Sequence, residues 1–249
     1  MGLSRAGCSD VFPPVTIRKI AIWIATGIGL CAALTGWMVW TGRWVPNAIV
    51  ASAYVIRGID VSHHQGVINW PEVARDHVDF VYMKATEGAD FVDQRFGKNW
   101  RQAAAQRIPR GAYHFYNPAT SGRNQARHFV ATVPVDPHAL PPAVDLEFAV
   151  GATPRVEDFR RELAEFLVIL RAAYGKEPVI YTTAEFQRHY LAGTGPRRLW
   201  IREVVGVPSG EWLFWQFSSR GRVRGIANFV DLNAFSGERA DLEALMAER

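Results

Sequence analysis

Asp145 and Glu147, one residue apart in Ala143-Val144-Asp145-Leu146-Glu147-Phe148, are the side chains from which a chemical reading of the chain can start. An extended strand sends alternate side chains to opposite faces, so the two carboxyls share one face and Val144, Leu146 and Phe148 share the other. Carboxyls this close repel each other when both are ionised, and one is expected to keep its proton near neutral pH. A protonated carboxylic acid beside an ionised one is what cleavage of a glycosidic bond requires. An exposed edge strand with both acids in water would show the same pair. Pro141-Pro142 upstream, which ends any preceding helix, and the apolar neighbours point instead to a buried strand.

The elements that must position this pair alternate in type. Strands are expected over 55–61, 80–85, 111–116, around Asp145, and over 179–182. Each is followed by a helical stretch, at 70–77, 93–107, 123–132, from Thr153 to a stop at Gly175, and at 185–191. The fourth helix carries the clearest signals: Thr153 as cap, Pro154 at its first position, and an apolar stripe running from Val156 to Tyr174. Three more strands follow at 199–204, 212–217 and 228–232, without room for long helices between them, and a short helix at 240–247 ends the pattern. Five strand–helix units and three strands close as an α/β barrel of eight strands, a (β/α)5(β)3 TIM-like barrel. In such barrels the reactive groups gather at the C-terminal ends of the strands, and Asp60, Glu87, Asp145, Glu147 and Asp231 all fall at or just past predicted strand ends.

Ahead of the barrel, residues 20–40 are almost wholly apolar and uncharged, long enough to cross a bilayer as one helix. Arg5, Arg18 and Lys19 precede this run and Arg43 alone follows it, which places residues 1–19 in the cytoplasm and sends the rest across. The expected organisation is therefore a cytoplasmic segment (1–19), a transmembrane signal anchor (20–40), a linker (41–53) and the barrel (54–249), single-pass in the cytoplasmic membrane with the barrel outside. The competing reading is a cleaved secretory signal, with Ala51-Ser52-Ala53 as the small-x-small cleavage site. Of the net charge of +4, +3 lies within residues 1–53, so the barrel is close to neutral and has no basic stripe for nucleic acid. Cys8 and Cys31 are the only cysteines, so the barrel has neither disulfide nor thiolate metal site. No zinc, nucleotide or dinucleotide motif occurs, and no cofactor is expected. The adjacent His63 and His64, read as strand residues, point to opposite faces and do not make a metal pair.

Six stretches in register resemble glycoside hydrolase family 25, the lysozymes called Chalaropsis-type muramidases: Gly58-Ile59-Asp60-Val61-Ser62-His63-His64-Gln65-Gly66, Lys84-Ala85-Thr86-Glu87-Gly88, Ala112-Tyr113-His114-Phe115, Asp145-Leu146-Glu147, Trp215-Gln216-Phe217-Ser218 and Val230-Asp231-Leu232-Asn233. The resemblance covers Arg57 to Phe235. It implies the same barrel, and hydrolysis, with retention, of the β-1,4 bond between N-acetylmuramic acid and N-acetylglucosamine in peptidoglycan. By the same resemblance Glu147 is the general acid. Asp145 is its partner, stabilising charge at the sugar or orienting the 2-acetamido group, and Asp60 and Asp231 are the two further pocket acids. Crowding among these acids raises the pKa of the most buried one, expected to be Glu147.

Tyr113, Phe115, Tyr181, Trp200 and Trp215 near strand ends offer faces on which sugars stack, although core packing is the better account of each alone. Gln216 joins them as an expected substrate contact. Lys84 is expected to pair with a barrel acid, Glu87 to be structural or a rim contact, and His114 to hydrogen-bond in the barrel mouth or core. The sequence departs from the family at Trp200-Ile201-Arg202-Glu203, where members more often carry small or aromatic residues after the Trp. The partners implied are peptidoglycan glycan strands and, through the N-terminal helix, a membrane, with the chain acting as a monomer. A barrel that binds wall without turnover is the alternative. A chitinase-like hydrolase is disfavoured because the pattern Asp-x-x-Asp-x-Asp-x-Glu is missing: the positions upstream of Asp145 are Pro141, Pro142 and Ala143.

Overall fold

The computed structural model describes residues 14–147, 153–195 and 198–248, which divide after Trp44 into two units. The first unit is built on one helix, α1 (Pro14–Trp40). Its stretch Ile17–Trp40, 24 residues of mean hydropathy 1.7, is long and apolar enough to cross a bilayer. The helix begins six residues before the predicted start, because a proline is well suited to a first turn, and so includes Arg18 and Lys19.

The second unit is organised around nine strands: β1 (Arg57–Val61), β2 (Phe80–Glu87), β3 (Phe91–Val92), β4 (Arg110–Phe115), β5 (Ala143–Asp145), β6 (Val179–Thr183), β7 (Arg198–Arg202), β8 (Phe214–Gly221) and β9 (Val230–Phe235). Eight of them close into a barrel, since β1 pairs with both β2 and β9, while β3 folds back on the end of β2 as a short hairpin. Neighbours are parallel from β1 round to β8, and β9 runs antiparallel to β8 and β1. A short helix, α2 (Ala48–Ala51), precedes β1. The helices α3 (Trp70–Ala74), α4 (Phe96–Ala105), α5 (Gly122–Thr132), α6 (Val156–Tyr174) and α7 (Ala184–Phe186) follow the first five barrel strands in turn, and α8 (Arg239–Ala247) follows β9.

Strand alternation sorts the core into two layers. Phe80, Tyr82, Trp200, Phe214 and Phe235 fill the barrel interior below the C-terminal strand ends. Gly58 and Gly111 make room for them, because a Cβ at Gly58 would meet the Phe80 ring at 2.6 Å and one at Gly111 the Tyr82 ring at 2.3 Å. Val81, Met83, Val144, Leu146, Ile180 and Ile201 face outward, in the layer shared with Phe129, Phe166 and Leu170 of the helices. Burying such side chains stabilises the fold by about 1.5–3 kcal/mol each.

Three expectations need correction. The first turn of α6 is entered from Arg155, whose backbone is extended (φ −62°, ψ 137°) and whose side chain makes no cap, so Thr153 lies outside the helix; Gly175 ends it in the left-handed conformation (φ 68°), as expected. The β5 ladder is shorter than expected, but Leu146 N still donates to Tyr181 O at 2.9 Å, which carries the alternation past the strand end; Phe148 lies outside the described residues. Residues 45–53, expected within a free linker, are folded onto the barrel wall. Asn47 donates to the carbonyls of Glu203 (3.2 Å), Gly206 (3.1 Å) and Phe217 (3.5 Å) and accepts from Gly206 N (3.0 Å). Ala51 is buried against Trp215, Phe217 and Ala234, the outward faces of β8 and β9.

Candidate active site

The inward positions change character along the barrel, aromatic low down and polar at the C-terminal strand ends. There they line a cavity of about 290 Å³. Four carboxyls reach it from three parts of the chain: Asp60 from β1, Asp145 and Glu147 from the end of β5, and Asp231 from β9. Register explains the convergence. Asp60 lies directly opposite Asp231 across the antiparallel β1–β9 pair, and Asp145 is level with Phe115 and Tyr181 on its two neighbours. Leu146, between the two acids of β5, is fully buried in the outer layer, so Asp145 and Glu147 share the inner face as expected.

Asp60 is the most ordered of the four. Its Oδ2 accepts from Asn233 Nδ2 at 2.8 Å and from Gln216 Nε2 at 3.3 Å. Tyr181 OH donates to Gln216 Oε1 (2.8 Å), and Trp200 Nε1 donates to Asn233 Oδ1 (2.8 Å), so five strands are tied through one carboxylate. Burial pushes the Asp60 carboxyl up to about 6, against the pull of these two hydrogen bonds. Burial also raises Asp231 to about 8, reinforced by the charge of Asp60 and opposed by the Arg202 guanidinium. Asp145 is held well above the usual carboxylate range by burial first, then by Glu147 and Asp60. Its Oδ1 is buried and meets no hydrogen-bond partner in the structure. The crowding rule therefore selects a different residue from the one expected. Asp145 is 8% exposed while Glu147 is half-buried at the rim, so burial holds the proton on Asp145.

Among the expected substrate contacts, Tyr113, Tyr181, Trp200 and Gln216 line the cavity. Trp200 does so with little free surface, since it is 2% exposed and packed on Tyr82 and Tyr181 (centroids 5.0 Å from each). Trp215 does not line it. Adjacent strand residues cannot both face inward, and with Gln216 inside, Trp215 is sealed in the outer wall beside Ala51 and Phe217. Phe115 is on the inner face but outside the cavity, at the rim under Lys84, whose Nζ lies 4.7 Å from its ring. Lys84 Nζ pairs with Glu87 at 2.6 Å. His114 faces outward and fully buried, between Thr86 Oγ1 (2.7 Å) and Gln125 Oε1 (3.0 Å), with its pKa lowered to about 4 by burial. His63 and His64 occupy a turn, not a strand, and their rings lie 4.0 Å apart. His63 Nδ1 is engaged by Asp93 (2.8 Å), and no group of metal-ligating side chains occurs among the described residues.

Arg202, Ser219 and Asn233 were not among the expected site residues. The first two line the cavity and the third orders Asp60. Period-2 alternation from Trp200 would have placed Arg202 inside, and alternation from Asp231 would have done the same for Asn233.

The sequence pattern of Glycosyl hydrolases family 25 matches residues 59–226, the span that supplies β1 to β8. The chain belongs to this family. It is 38% identical over 208 residues to Lysozyme M1 of Streptomyces globisporus, covering 76% of this chain and 71% of that one. The structure of a family 25 glycosyl hydrolase from Bacillus anthracis superposes with a TM-score of 0.74 at 37% identity, over 77% of this chain and 94% of that one. The bacterial lysozyme of Streptomyces coelicolor gives 0.71 at 36% identity, over 77% and 97%. The family 25 barrel thus accounts for the second unit, and the four-carboxyl cavity sits at its C-terminal strand ends.

Proposed function

We propose that this family 25 chain is a peptidoglycan muramidase that hydrolyses the β-1,4 bond between N-acetylmuramic acid and N-acetylglucosamine with retention. The observation that carries the proposal is the convergence of Asp60, Asp145, Glu147 and Asp231 on one cavity, in a chain whose relatives include lysozymes. Glu147, the half-exposed member at the rim, donates a proton to the leaving oxygen and, as a carboxylate, then activates water. Asp145, which burial keeps protonated, is a poor nucleophile but a good orienting group. Its unpartnered Oδ1 accepts the N–H of the substrate's 2-acetamido group, whose carbonyl oxygen attacks the anomeric carbon from the opposite face. Water, deprotonated by the Glu147 carboxylate, opens the resulting oxazolinium ion, which has kept its N–H proton, and restores the original configuration. Asp60, fixed by Asn233 and Gln216, stabilises the positive charge that develops at the ring, and Asp231 beside it adds its charge only as it ionises.

No cofactor enters this scheme. An extracytoplasmic location follows from the wall as substrate. Retention of α1 as a membrane anchor is the finer reading, supported by its length and by the folding of residues 45–53 onto the barrel. The test is lysis of purified peptidoglycan, followed as turbidity loss or in a zymogram, with the full chain and Glu147→Gln. Lysis by the parent and a loss of about a thousandfold in the variant are expected. Equal lysis by both, or none by the parent, contradicts the proposal.

A further inference from the structure

Arg202 is an anomaly in this cavity. It is the one cation among the described lining residues, set at the C-terminal end of β7 in register with Thr183 and Gln216. Several surface arginines of the barrel are held by carboxylates, as in Arg171–Glu177 at 2.6 Å and Arg198–Glu248 at 2.6 Å. Arg202 shares its cavity with four carboxyls, yet among the described residues no carboxylate lies within 4 Å of its guanidinium and no side-chain hydrogen bond holds it. Its charge is still felt, since it pulls against the rise of Asp231 and Tyr181. The guanidinium is thus half-buried, close to the acids, and open to a ligand.

We infer that Arg202 is a specificity-determining residue that recognises a carboxylate on the substrate. A planar fork of N–H donors matches a carboxylate bidentately, and such pairs are favoured where the partner leaves water. In the proposed substrate, on which this inference rests, carboxylates belong to the muramic acid side only, as the 3-O-lactyl carboxylate or as carboxylates of an attached peptide. An N-acetylglucosamine polymer has none. Whichever acids of the cavity are ionised would repel an anionic substituent, and Arg202 offsets that repulsion at one position. It thereby separates muramic acid from glucosamine by a charge pair that the wrong sugar leaves unmade.

The test compares three glycans: peptide-free strands with the lactyl carboxylate, the same strands with their carboxyls converted to amides, and strands bearing intact peptides. The full-length protein, Arg202→Gln and Arg202→Lys are assayed on each for KM and kcat as a function of pH, with thermal melting to confirm folding. The parent should prefer the carboxylate strands to the amidated ones, and Arg202→Gln should lose about tenfold to a hundredfold on the carboxylate strands, mainly in KM, and so abolish the preference. Arg202→Lys, which keeps the charge without the fork, should fall between. Loss confined to the peptide-bearing strands would identify the peptide carboxylate as the ligand. An equal loss on all three with a shifted pH profile would show that Arg202 acts only through Asp231, and overturns the inference. So does an undiminished preference in Arg202→Gln, or a parent that distinguishes neither the lactyl-carboxylate strands nor the peptide-bearing strands from the amidated ones. If the parent cleaves none of them, the muramidase reading fails first. Binding of the same three glycans to the parent then decides Arg202 separately, with no carboxylate preference overturning it.

Discussion

At the scale of single residues, burial decides which carboxyl in the cavity holds a proton. Asp231 is pushed up to about 8, because folding removes it from water and sets it beside Asp60. The folded state therefore binds more protons than the unfolded chain, and stability must fall as pH rises from about 4 through about 8. Asp231→Asn removes this penalty. It should raise stability by roughly 1–3 kcal/mol at pH 8 and by little near pH 4, while lowering activity; thermal melts across that range check it. A variant less stable than the parent at pH 8 would contradict the burial account. Two aromatic residues make a paired prediction. Trp215→Ala should cost about 3–5 kcal/mol of stability, since its ring is sealed in the wall, and should leave KM unchanged. Tyr113→Ala, at the cavity surface, should raise KM with a smaller loss of stability. Asp145 and Glu147 were legible as a pair because a single spacing places them on one face. Which of the two is buried was not, because it depends on where β5 ends.

At the scale of elements, the segment between α1 and β1 behaves as part of the barrel. Asn47 satisfies Gly206 N and three carbonyls around the β7–β8 connection, next to the strand end that carries Arg202. Asn47→Ala should destabilise the second unit by about 1–3 kcal/mol, read by denaturant unfolding, because several of these groups lose their partner together. Cleavage after Ala53 would take Ala51 as well and uncover Trp215 and Phe217, so a chain starting at Tyr54 is expected to melt lower than one starting at Val45. The helix and strand order was readable from alternation and from stops such as Gly175. The packing of 45–53 was not, because Gly42, Pro46 and Asn47 carry the composition of a linker whether or not a carbonyl cluster waits for the asparagine. The two-residue β3 was missed, and a cap was expected at Thr153 that does not form, for a similar reason, since neither outcome is set by local residues alone.

At the scale of the whole molecule, eight strands convert six scattered motifs into one acid-lined cavity above an aromatic plug. Closure by β9 is what brings Asp231 across from Asp60, a juxtaposition of residues 171 positions apart that no local pattern reveals. The apolar helix at the other end of the chain is expected to keep the protein with the membrane. After alkaline carbonate washing the full chain should remain in the pelleted membranes, whereas a mature chain starting at Tyr54 in the soluble fraction would contradict the anchor. The most direct test of the function is the identity of the sugar end released from purified peptidoglycan. After digestion, borohydride reduction and acid hydrolysis, the reduced amino sugar should be that of muramic acid, produced by the parent and not by Glu147→Gln. Reduced glucosamine in its place, or no new reducing ends, would contradict the account.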